Sequence, residues 1–599
     1  MHKKEIKITP AKGRPMLNWV GKKPIEYVKS FPTQLIEVFD PLNRGKKIKV
    51  PNYDKLKNNW QNLLFHGDNK EVLATLLELG FRGKVDLIYI DPPFKSGADY
   101  VRKVELRGLK DLGSIERDEA SVLQQTMYFD IWNNDNYLQF MYERLMLMKE
   151  LLSESGSIYV HMDQTVGHYV KLIMDEIFGQ ENFRSQIIWN TASINVAGFK
   201  TQANNWIYSQ GIILYYVKNN QKDNFTFNKQ YTIKSLKYPY EDDNGNYRIS
   251  RNGEKIYEFE DKGDPVTDIW NDILSFNYVA AAKESLGFQT QKPEALLERI
   301  IKASSNPGDL VLDCFMGSGT TASVAQKLGR RWIGCDINKG AVQLISSRLQ
   351  KVIKEQIGKG EAKYPVFSVY KVNNYDLKIL HTEAINLAVQ HIGIQRRRTD
   401  SFFDGTLGKK LVKIIDFNHP LTLLDLQILQ DELKNRPNEE RDITIVCLGK
   451  ESAVDAWIDE WNKKHPVNKI DVIELKTDKK YGGFLIHKPA EAKVKIERKG
   501  NKGIIEIQDF ISPTIIQRLN IDINIWKVKI SDFRSIIDCV LIDSNYDGKT
   551  FCIVYSDVPE KKSDLIKCNY EIDIPKERVK IAVKIIDMLG EEVLIVKDV

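Results

Sequence analysis

The sequence predicts an α/β fold built on a doubly wound sheet, with an inserted lobe and with an α/β and a β-rich region after it. Three observations support this prediction. Short apolar runs such as 85–90 and 310–314 have the composition of buried strands. Segments between such runs, for example 69–79, have apolar residues at helical spacing. Two of the strands end in loops of unusual composition. Alternating strands and helices imply right-handed crossovers within one sheet.

Composition limits the class of protein. The 599 residues suffice for roughly two to four domains. A content of 42% hydrophobic and 28% charged residues is typical of a folded soluble protein, and the net charge of +6 is compatible with nucleic acid. The six cysteines lack zinc-type spacing, so we expect a reduced, cytoplasmic compartment and no metal. No apolar run reaches membrane-spanning length, and the first residues lack the core of a signal peptide.

The chain opens with a lysine- and proline-rich arm over residues 1–60. Apolar spacing then predicts strands at 62–68, 85–90, 157–163, 187–189 and 211–217, and helices at 69–79, 137–152 and 166–178. Segment 218–285 breaks this pattern, and its turn signals Asn244-Gly245 and Asn252-Gly253 predict an inserted lobe of short strands. Beyond it, the patterns predict helices at 293–304 and 320–328 and strands at 310–314 and 331–336.

The first unusual loop, Asp91-Pro92-Pro93-Phe94, ends the strand at 85–90. Two prolines fix the backbone, so a carboxylate, rigid carbonyls and an aromatic ring project from the carboxyl end of a strand. Open α/β sheets bind ligands at that edge. Asp91 and the Pro92 carbonyl can accept both N–H bonds of an exocyclic base amine, and Phe94 can stack on the base. Such a loop would hold a flipped-out adenine or cytosine for alkylation at nitrogen. A strand-ending turn with a core Phe is the alternative.

The second unusual loop, Gly317-Ser318-Gly319, lies between a strand and a helix. Its glycines allow close backbone approach to a ligand, and the helix start leaves free N–H groups. Asp336 ends the next strand, where an acid can bond ribose hydroxyls. A phosphate-gripping loop would carry Gly-Lys-Ser/Thr, which is absent here. A nucleoside with an amino-acid tail fits, and S-adenosylmethionine is such a ligand. A tight turn with a solvated Asp is the alternative.

Together the two loops resemble those of the beta-class amino-methylating DNA methyltransferases, in particular the adenine-N6 enzymes that are modification subunits of type III restriction systems. The order of catalytic motif, insertion and cofactor motif is the order of that family. The resemblance spans roughly 60–350 and includes Asp130-Ile131-Trp132, Phe140-Met141, Arg144-Leu145, Gly156-Ser157-Ile158, 175–179, Asn182-Phe183 and Gln291-Lys292-Pro293. Cys314 departs from the family, which usually has proline there.

The resemblance implies a role for each matching residue. The catalytic motif corresponds to Asp91, Pro92, Pro93 and Phe94. The cofactor loop corresponds to Asp313, Phe315, Gly317, Ser318, Gly319 and Thr320. Asp336 matches the ribose acid, Asp68 the residue near the cofactor adenine, and Lys292 the contact to the methionine carboxylate. Trp189 resembles the second aromatic wall of the base pocket, with a core Trp as the alternative. The implied sheet is circularly permuted and Rossmann-like, with the strands that end at Cys314, Asp336, Asp68, Asp91 and Asp163 as neighbours.

The implied domains are an arm, a core in two halves, an insertion and two C-terminal regions. Their boundaries are 1–60 for the arm, 61–217 for the catalytic half, 218–285 for target recognition, 286–357 for the cofactor half, 358–485 for a small α/β domain and 486–599 for a β-rich domain. Basic residues at 395–398 and 493–502 could meet a DNA backbone or form a solvated face. We find no helicase loop and no nuclease cluster in this back half, so cleavage would need a partner chain.

The sequence therefore predicts a site-specific transfer of the S-adenosylmethionine methyl group to adenine N6 in double-stranded DNA. Catalysis would come from positioning and lone-pair release, without a strong general base. The expected partners are DNA and, by family analogy, a helicase–nuclease restriction subunit or a second copy of the chain, with no membrane. Three alternatives remain open at this point: cytosine-N4 methylation, RNA methylation, and a DNA-binding specificity subunit with an inactive core.

Overall fold

A computed structural model provides the structure of the chain. It describes residues 5–13, 16–42, 47–93, 100–107, 122–128, 134–191, 206, 209–221, 224–232, 238–250, 252–258, 263–276, 284, 286, 290–372, 389, 392–396, 400, 402–415, 421–447, 449–475, 489–518, 532–559, 563–575 and 578–599. The side chains of 100–105, 122–128, 134–136, 396, 452, 517 and 518 are outside this description. The chain divides into two compact units, the first formed by 1–373, 492–510 and 527–599 and the second by 374–491 and 511–526.

The first unit begins with nineteen described strands and seven described helices up to residue 373. The strands are β1 (Glu5–Lys7), β2 (Tyr27–Lys29), β3 (Thr33–Phe39), β4 (Asn62–His66), β5 (Val85–Ile90), β6 (Tyr100–Glu105), β7 (Val122–Tyr128), β8 (Leu152–Met162), β9 (Phe183–Asn190), β10 (Gln210–Val217), β11 (Tyr231–Thr232), β12 (Tyr240–Asp242), β13 (Gly245–Ile249), β14 (Lys255–Tyr257), β15 (Asp264–Pro265), β16 (Ile269–Trp270), β17 (Leu310–Asp313), β18 (Arg331–Asp336) and β19 (Phe367–Val372). The helices are α1 (Tyr53–Leu56), α2 (Asn69–Glu78), α3 (Asn134–Leu151), α4 (Gly167–Phe178), α5 (Glu294–Ser304), α6 (Thr320–Lys327) and α7 (Lys339–Gly358).

The main sheet has the strand order β16-β9-β10-β8-β5-β17-β18-β4-β19-β3-β28, where β28 is Phe551–Ile553. The six strands from β8 to β19 run parallel, in the register Leu87 to Val311, Val311 to Trp332 and Ile333 to Leu63. The strands that end at Asp163, Asp91, Cys314, Asp336 and Asp68 are therefore neighbours, as the family resemblance implied. Their carboxyl ends meet at one edge, where such sheets bind ligands.

Helices cover both faces of this sheet, and the strand β5 shows why. Ile88 and Ile90 belong to the core cluster on one face, whereas Leu87 and Tyr89 belong to the cluster on the other. Strands buried on both faces have continuous apolar runs. The helix α5 begins after Pro293, which has an extended backbone, and its buried residues Leu297 and Ile301 lie one turn apart.

The inserted lobe contains short strands, as predicted. β12 and β13 form an antiparallel hairpin in which Asp242 pairs with Gly245, so the predicted turn lies at its tip. β13 continues to β14, with Ile249 paired to Lys255 around the second predicted turn. The lobe also contributes the strand β16 to the main sheet, where it lies parallel to β9.

The structure corrects the predicted boundary of the N-terminal arm. Residues within 1–60 contribute β3 to the main sheet, antiparallel to β19, with Phe39 opposite Phe367. The arm is also held by an ion pair between Lys22 and Glu176, with 2.7 Å between Nζ and Oε1. The sequence did not predict this short strand, because the segment is rich in charged residues and prolines. Its partner strand also lies more than 300 residues away in the sequence.

The predicted separation of the last β-rich region is also wrong. The strands β25 (Glu491–Lys499), β26 (Lys502–Ile511), β27 (Ile537–Asp543), β28, β29 (Tyr555–Asp557), β30 (Asn569–Asp573), β31 (Lys580–Asp587) and β32 (Glu592–Asp598) follow the second unit. Most of this region belongs to the first unit, and β28 pairs in parallel with β3 in the main sheet. The β-rich character was predicted correctly, but the independence of the region was not.

The second unit is a small α/β fold, as predicted, but it begins near 374 instead of 358 because α7 and β19 belong to the first unit. Its described strands are β20 (Gln395–Arg396), β21 (Gly405–Leu407), β22 (Lys410–Ile414), β23 (Ile443–Cys447) and β24 (Ile470–Glu474). Its described helices are α8 (Leu423–Lys434), α9 (Ser452–Lys464) and α10 (Pro513–Arg518). The strands β22, β23 and β24 are parallel.

Over the residues that the structure describes, no helix is long and apolar enough to cross a membrane.

Candidate active site

Asp91 directly follows the buried strand β5 and precedes the two prolines. Its carboxylate is largely buried, and its Oδ2 accepts a hydrogen bond from the ammonium of Lys292. Its Oδ1 is buried without a hydrogen-bond partner among the described residues. Burial raises the pKa of Asp91, although the charge of Lys292 acts to lower it. A buried, unfilled acceptor is costly unless a ligand fills it, so this atom points to a bound donor.

Asp313 ends the neighbouring strand β17 and organises the loop that follows it. Its Oδ1 accepts from the Phe315 backbone N–H at 2.9 Å, and its Oδ2 accepts from the Thr321 hydroxyl at 2.6 Å. Burial raises the pKa of Asp313 to about 7, against the effect of both hydrogen bonds. Asp313 thus ties the strand end to the start of α6 and shapes the turn between them.

Gly317 and Gly319 have positive φ angles of 52° and 76°. A Cβ atom on Gly319 would lie 2.9 Å from Cγ1 of Ile345, so glycine is required there for space as well as for conformation. The Gly317 N–H donates to Oδ2 of Asp336 at 2.8 Å, and the Asn338 N–H donates to Oδ1 at 2.9 Å. Burial raises the pKa of Asp336 to about 6. The predicted glycine loop and the predicted acid at the end of the next strand are therefore in direct contact.

Asp68 caps the helix α2 by accepting from the Lys70 N–H at 2.8 Å. Both of its carboxylate oxygens also accept from the guanidinium of Arg144, at 3.2 and 3.1 Å. Arg144 lies over the Phe140 ring, with 3.5 Å between its Cζ and the ring centroid. The Phe140 ring packs edge-on against Phe315 at 5.9 Å. The predicted residues Asp68 and Phe315 are thereby joined through Arg144 and Phe140.

Arg348, on α7, holds the back of the glycine loop. Its guanidinium donates to the Ser318 carbonyl at 3.0 Å and to the Thr320 hydroxyl oxygen at 3.1 Å. A third hydrogen bond, of 2.9 Å, goes to Oε1 of Glu294 in the first turn of α5. Arg348 is a buried cation with a carboxylate partner, and it fixes the distance between the glycine loop and α5.

These side chains surround one cavity of about 360 Å³. Its described lining includes the predicted residues Asp68, Asp91, Pro92, Pro93, Lys292, Asp313, Phe315, Gly317, Ser318, Thr320 and Asp336. The volume lies in the range of small-molecule and cofactor sites. The catalytic loop and the cofactor loop, which are more than 200 residues apart in the sequence, therefore open into the same space.

Trp189 is predicted as the second aromatic wall of the base pocket, with a core Trp as the alternative. It is 3% exposed on β9, its indole N–H donates to the Ile273 carbonyl at 2.8 Å, and its ring packs edge-on against His161. It does not line the described part of the cavity. The burial of Trp189 agrees with the core alternative, and its role in stacking on the target base stays a prediction, because an aromatic residue in an apolar strand has the same pattern in either role. Phe94, the predicted stacking residue, lies outside the described residues.

Sequence reasoning missed a buried polar pair beneath the catalytic loop. Tyr89 lines the cavity, and its hydroxyl oxygen lies 3.0 Å from Nδ1 of His161 on β8. Burial lowers the pKa of His161 well below its ordinary value and raises the pKa of Tyr89, so both are neutral near pH 7. The sequence carried a weak signal for this pair, since Tyr89 and His161 are polar residues within the apolar stretches 87–90 and 158–162.

The described part of the site contains no metal cluster. Within the described ranges, no group of three or more His, Cys, Asp or Glu residues could hold an ion. The cysteines nearest to the site, Cys314 and Cys335, are buried, and burial raises the pKa of both thiols well above its ordinary value. The chemistry of the described site is therefore that of carboxylates, an ammonium, a guanidinium and backbone groups.

A parallel sheet with a glycine loop, an acid at the next strand end and a rigid carboxylate loop in one cavity defines a Rossmann-like enzyme that binds a nucleoside ligand. The comparison with family models specifies the class further. The model described as DNA methylase matches residues 85–347. The chain belongs to the DNA methylase family.

Three curated relatives illustrate the range of this family. Type II methyltransferase M.HpaI of Haemophilus parainfluenzae is 32% identical, over 44% of this chain and 68% of its own length. The DNA adenine methyltransferase YhdJ of Escherichia coli (strain K12) is 29% identical, over 48% of this chain and 82% of its length. The EcoP15I Mod subunit, a type III restriction-modification enzyme of Escherichia coli, is 31% identical, over 34% of this chain and 30% of its length. The chain spans about half or less of the type III Mod subunits that it matches.

Proposed function

We propose that this chain methylates adenine at N6 in a short sequence of double-stranded DNA, with S-adenosylmethionine as the methyl donor. The observation that carries the proposal is the single cavity that joins the Asp91 loop to the glycine loop and Asp336. Membership of the DNA methylase family and similarity to a relative named as an adenine methyltransferase support the choice of substrate.

The catalytic loop suits an exocyclic amine. Oδ1 of Asp91 lacks a described partner, and a carboxylate is an acceptor only. The Pro92 carbonyl, fixed by the following proline, is the second acceptor. When both N–H bonds of the amine are directed to acceptors, its lone pair is turned toward the electrophile. Most of the rate acceleration would then come from orientation, which can supply about 7–11 kcal/mol of barrier reduction. Phe94 stays the proposed stacking partner of the base.

The cofactor half suits a nucleoside with an amino-acid tail. The Asp336 carboxylate accepts from the backbone N–H groups of Gly317 and Asn338, and a carboxylate has further acceptor capacity for ribose hydroxyls. Gly317 and Gly319 let the backbone approach the ligand, and Phe315 with Phe140 offers aromatic surface near Asp68. Lys292 supplies a positive charge for a carboxylate. S-adenosylmethionine supplies an electrophilic methyl group on sulfur.

We further propose that the chain is the modification component of a restriction system, and that the lobe within 218–285 reads the DNA sequence. Similarity to several type III Mod subunits supports this assignment. A helicase–nuclease subunit would be the restriction partner, and a second copy of this chain is a further proposed partner. Site-specific modification is what protects host DNA in such a system.

Sequencing that detects modified bases tests the proposed function. The full chain is expressed in a host without DNA methylation, and the genomic DNA is read for N6-methyladenine and N4-methylcytosine. We expect N6-methyladenine within one recurring short motif. N4-methylcytosine in that motif would replace the proposed base, and unmodified DNA together with methylated host RNA would replace the proposed nucleic acid. The inactive-core alternative predicts that neither is modified while DNA is still bound.

A further inference from the structure

Lys292 belongs to both halves of the site. Its backbone carbonyl accepts from the Thr320 hydroxyl at 3.3 Å, at the start of the helix that follows the glycine loop. Its side chain lines the cavity, and its ammonium donates to Oδ2 of Asp91. The two side chains are only 13% and 16% exposed, so this ion pair is shielded from solvent. A residue that is attached at one end and bonded at the other can transmit a change between the two loops.

The charges of the cavity make Lys292 the cation that a ligand carboxylate can reach. Among the described lining residues, the cations are Arg144 and Lys292, and the acids are Asp68, Asp91, Asp313 and Asp336. Arg144 already donates to both oxygens of Asp68. A ligand that brings another carboxylate into this acidic cavity therefore competes with Asp91 for the ammonium of Lys292.

We propose that Lys292 couples cofactor binding to target-base binding: its ammonium holds Asp91 until the carboxylate of the cofactor draws it away, which frees the Asp91 carboxylate to turn toward the target amine. The inference rests on the proposed function and deepens it. With Lys292 in place, Oδ1 of Asp91 has no hydrogen-bond partner among the described residues but Oδ2 is held, so the carboxylate cannot turn freely toward the base. Thermodynamic linkage requires the effect to be reciprocal, so the target DNA tightens the binding of the cofactor by the same factor.

Two unreactive cofactor analogues separate this inference from a general effect of cofactor binding. S-adenosylhomocysteine carries the amino-acid carboxylate, and 5′-methylthioadenosine lacks it. The experiment measures the affinity of the full chain for a duplex with the motif found by sequencing, by fluorescence anisotropy. We expect S-adenosylhomocysteine at saturation to tighten duplex binding at least about fivefold, a typical size for coupling between two sites. We expect 5′-methylthioadenosine to change it less than about twofold.

Lys292→Met removes the charge and keeps most of the side-chain volume. We expect this variant to lose the difference between the two analogues while it still binds 5′-methylthioadenosine, which shows that the site is folded. Lys302→Met is the matched control, since Lys302 lies on the nearby helix α5 and pairs with Glu298 at the surface. We expect Lys302→Met to keep the full coupling of the wild-type chain.

Several results would overturn the inference and leave the proposed function intact. In a wild-type chain that methylates DNA, equal effects of the two analogues, or no effect of either, would show that the carboxylate does not release Asp91. Undiminished coupling in Lys292→Met would assign the effect to another residue. A wild-type chain that modifies no nucleic acid would overturn the proposed function, and with it the inference.

Discussion

At the scale of the residue, the carboxylates of Asp313 and Asp336 titrate close to neutral pH. Burial raises the pKa of Asp336 to about 6 and that of Asp313 to about 7. In both, the ionised form is the better acceptor for the hydrogen bonds that shape the cofactor loop. The occupancy of the site should therefore depend on pH in a range where ordinary aspartates are fully ionised.

The affinity for S-adenosylhomocysteine should fall as the pH is lowered through about 6. Protonation of Asp336 removes its negative charge and part of its capacity to accept ribose hydroxyls. If only the form with an ionised Asp336 binds, protonation of Asp336 alone should make the affinity at pH 5 about tenfold weaker than at pH 8, and protonation of Asp313 should weaken it further. Isothermal titration calorimetry from pH 5 to pH 8 measures this dependence. Asp336→Asn should bind weakly, without the pH dependence assigned to Asp336. A wild-type affinity that is constant over this range would contradict the assigned role.

The sequence identified the residues whose own type is unusual, and missed those whose role depends on distant partners. Asp91 and Gly319 were found because a carboxylate before two prolines and a glycine at a strand–helix junction are informative by themselves. Arg348 was missed, because an arginine on an amphipathic helix has the same pattern whether it faces solvent or the loop at 317–320. Arg144 was part of the family resemblance, but no role was predicted for it. Its partner Asp68 lies 76 residues away.

At the scale of the element, the glycine loop is held by conformation and by space at the same time. Gly319 has a φ of 76°, and its missing Cβ would contact Ile345. Gly83, in the turn before β5, has a φ of 66° but no atom within 4 Å of the place of a Cβ. Substitution of either glycine costs free energy for the left-handed backbone, but only substitution of Gly319 adds a steric clash. Comparing the two substitutions therefore measures the cost of the clash.

Gly319→Ala should lower the free energy of unfolding of the first unit by about 2–3 kcal/mol, compared with about 1 kcal/mol for Gly83→Ala. Differential scanning calorimetry of the full chain measures the difference. In the wild-type chain, the relevant transition is the one that S-adenosylhomocysteine shifts to higher temperature. We expect the ligand-induced shift to disappear in Gly319→Ala and to persist in Gly83→Ala. Equal destabilisation by the two changes would show that Ile345 yields without cost.

Most elements of the core follow from the apolar pattern, whereas their ends depend on the neighbouring strands. The predicted strand at 85–90 is β5 without change, and the helix predicted at 293–304 is α5. β8 begins at Leu152, five residues before the predicted start, because its first residues pair with β5 across a register shift. The sequence did not predict β19, which lies parallel to β4 in the main sheet.

At the scale of the whole molecule, residues from the first and the last parts of the sequence pack together within the first unit. The carboxylate of Glu37 on β3 and the ammonium of Lys584 on β31 form a buried ion pair, with 3.0 Å between Oε2 and Nζ. Burial acts to lower the pKa of Lys584, but the carboxylates of Glu37 and Glu592 raise it. No local pattern predicts such a pair, since its residues are separated by 547 positions.

Lys584→Met should destabilise the first unit by about 3–5 kcal/mol, because it leaves Glu37 buried without a counter-ion. The double change Glu37→Gln with Lys584→Met should recover much of this loss, since the glutamine can still accept from Ser346 at the place of Oε1. Lys502→Met is the control, because its ion pair with Asp573 is exposed and should contribute less than about 1 kcal/mol. Calorimetry of the full chain compares the three. A small effect of Lys584→Met would argue that the C-terminal strands do not depend on this ion pair.

Asp91 is the residue on which the proposed catalysis depends most, and the most direct test is methyl transfer by Asp91→Asn. The measurement follows label from tritiated S-adenosylmethionine into a duplex with the motif, beside the binding of S-adenosylhomocysteine to the same protein. The exchange keeps the side-chain volume but replaces one acceptor oxygen by a donor. We predict a loss of transfer of at least about a hundredfold, while the analogue still binds, with an affinity equal to or tighter than that of the wild-type chain because Lys292 no longer pairs with a charged Asp91. Asp163→Asn, at a neighbouring strand end where the carboxylate caps its own turn through Thr165, should keep full activity. Transfer by Asp91→Asn at nearly the wild-type rate would contradict the role of Asp91 as the acceptor that orients the target amine.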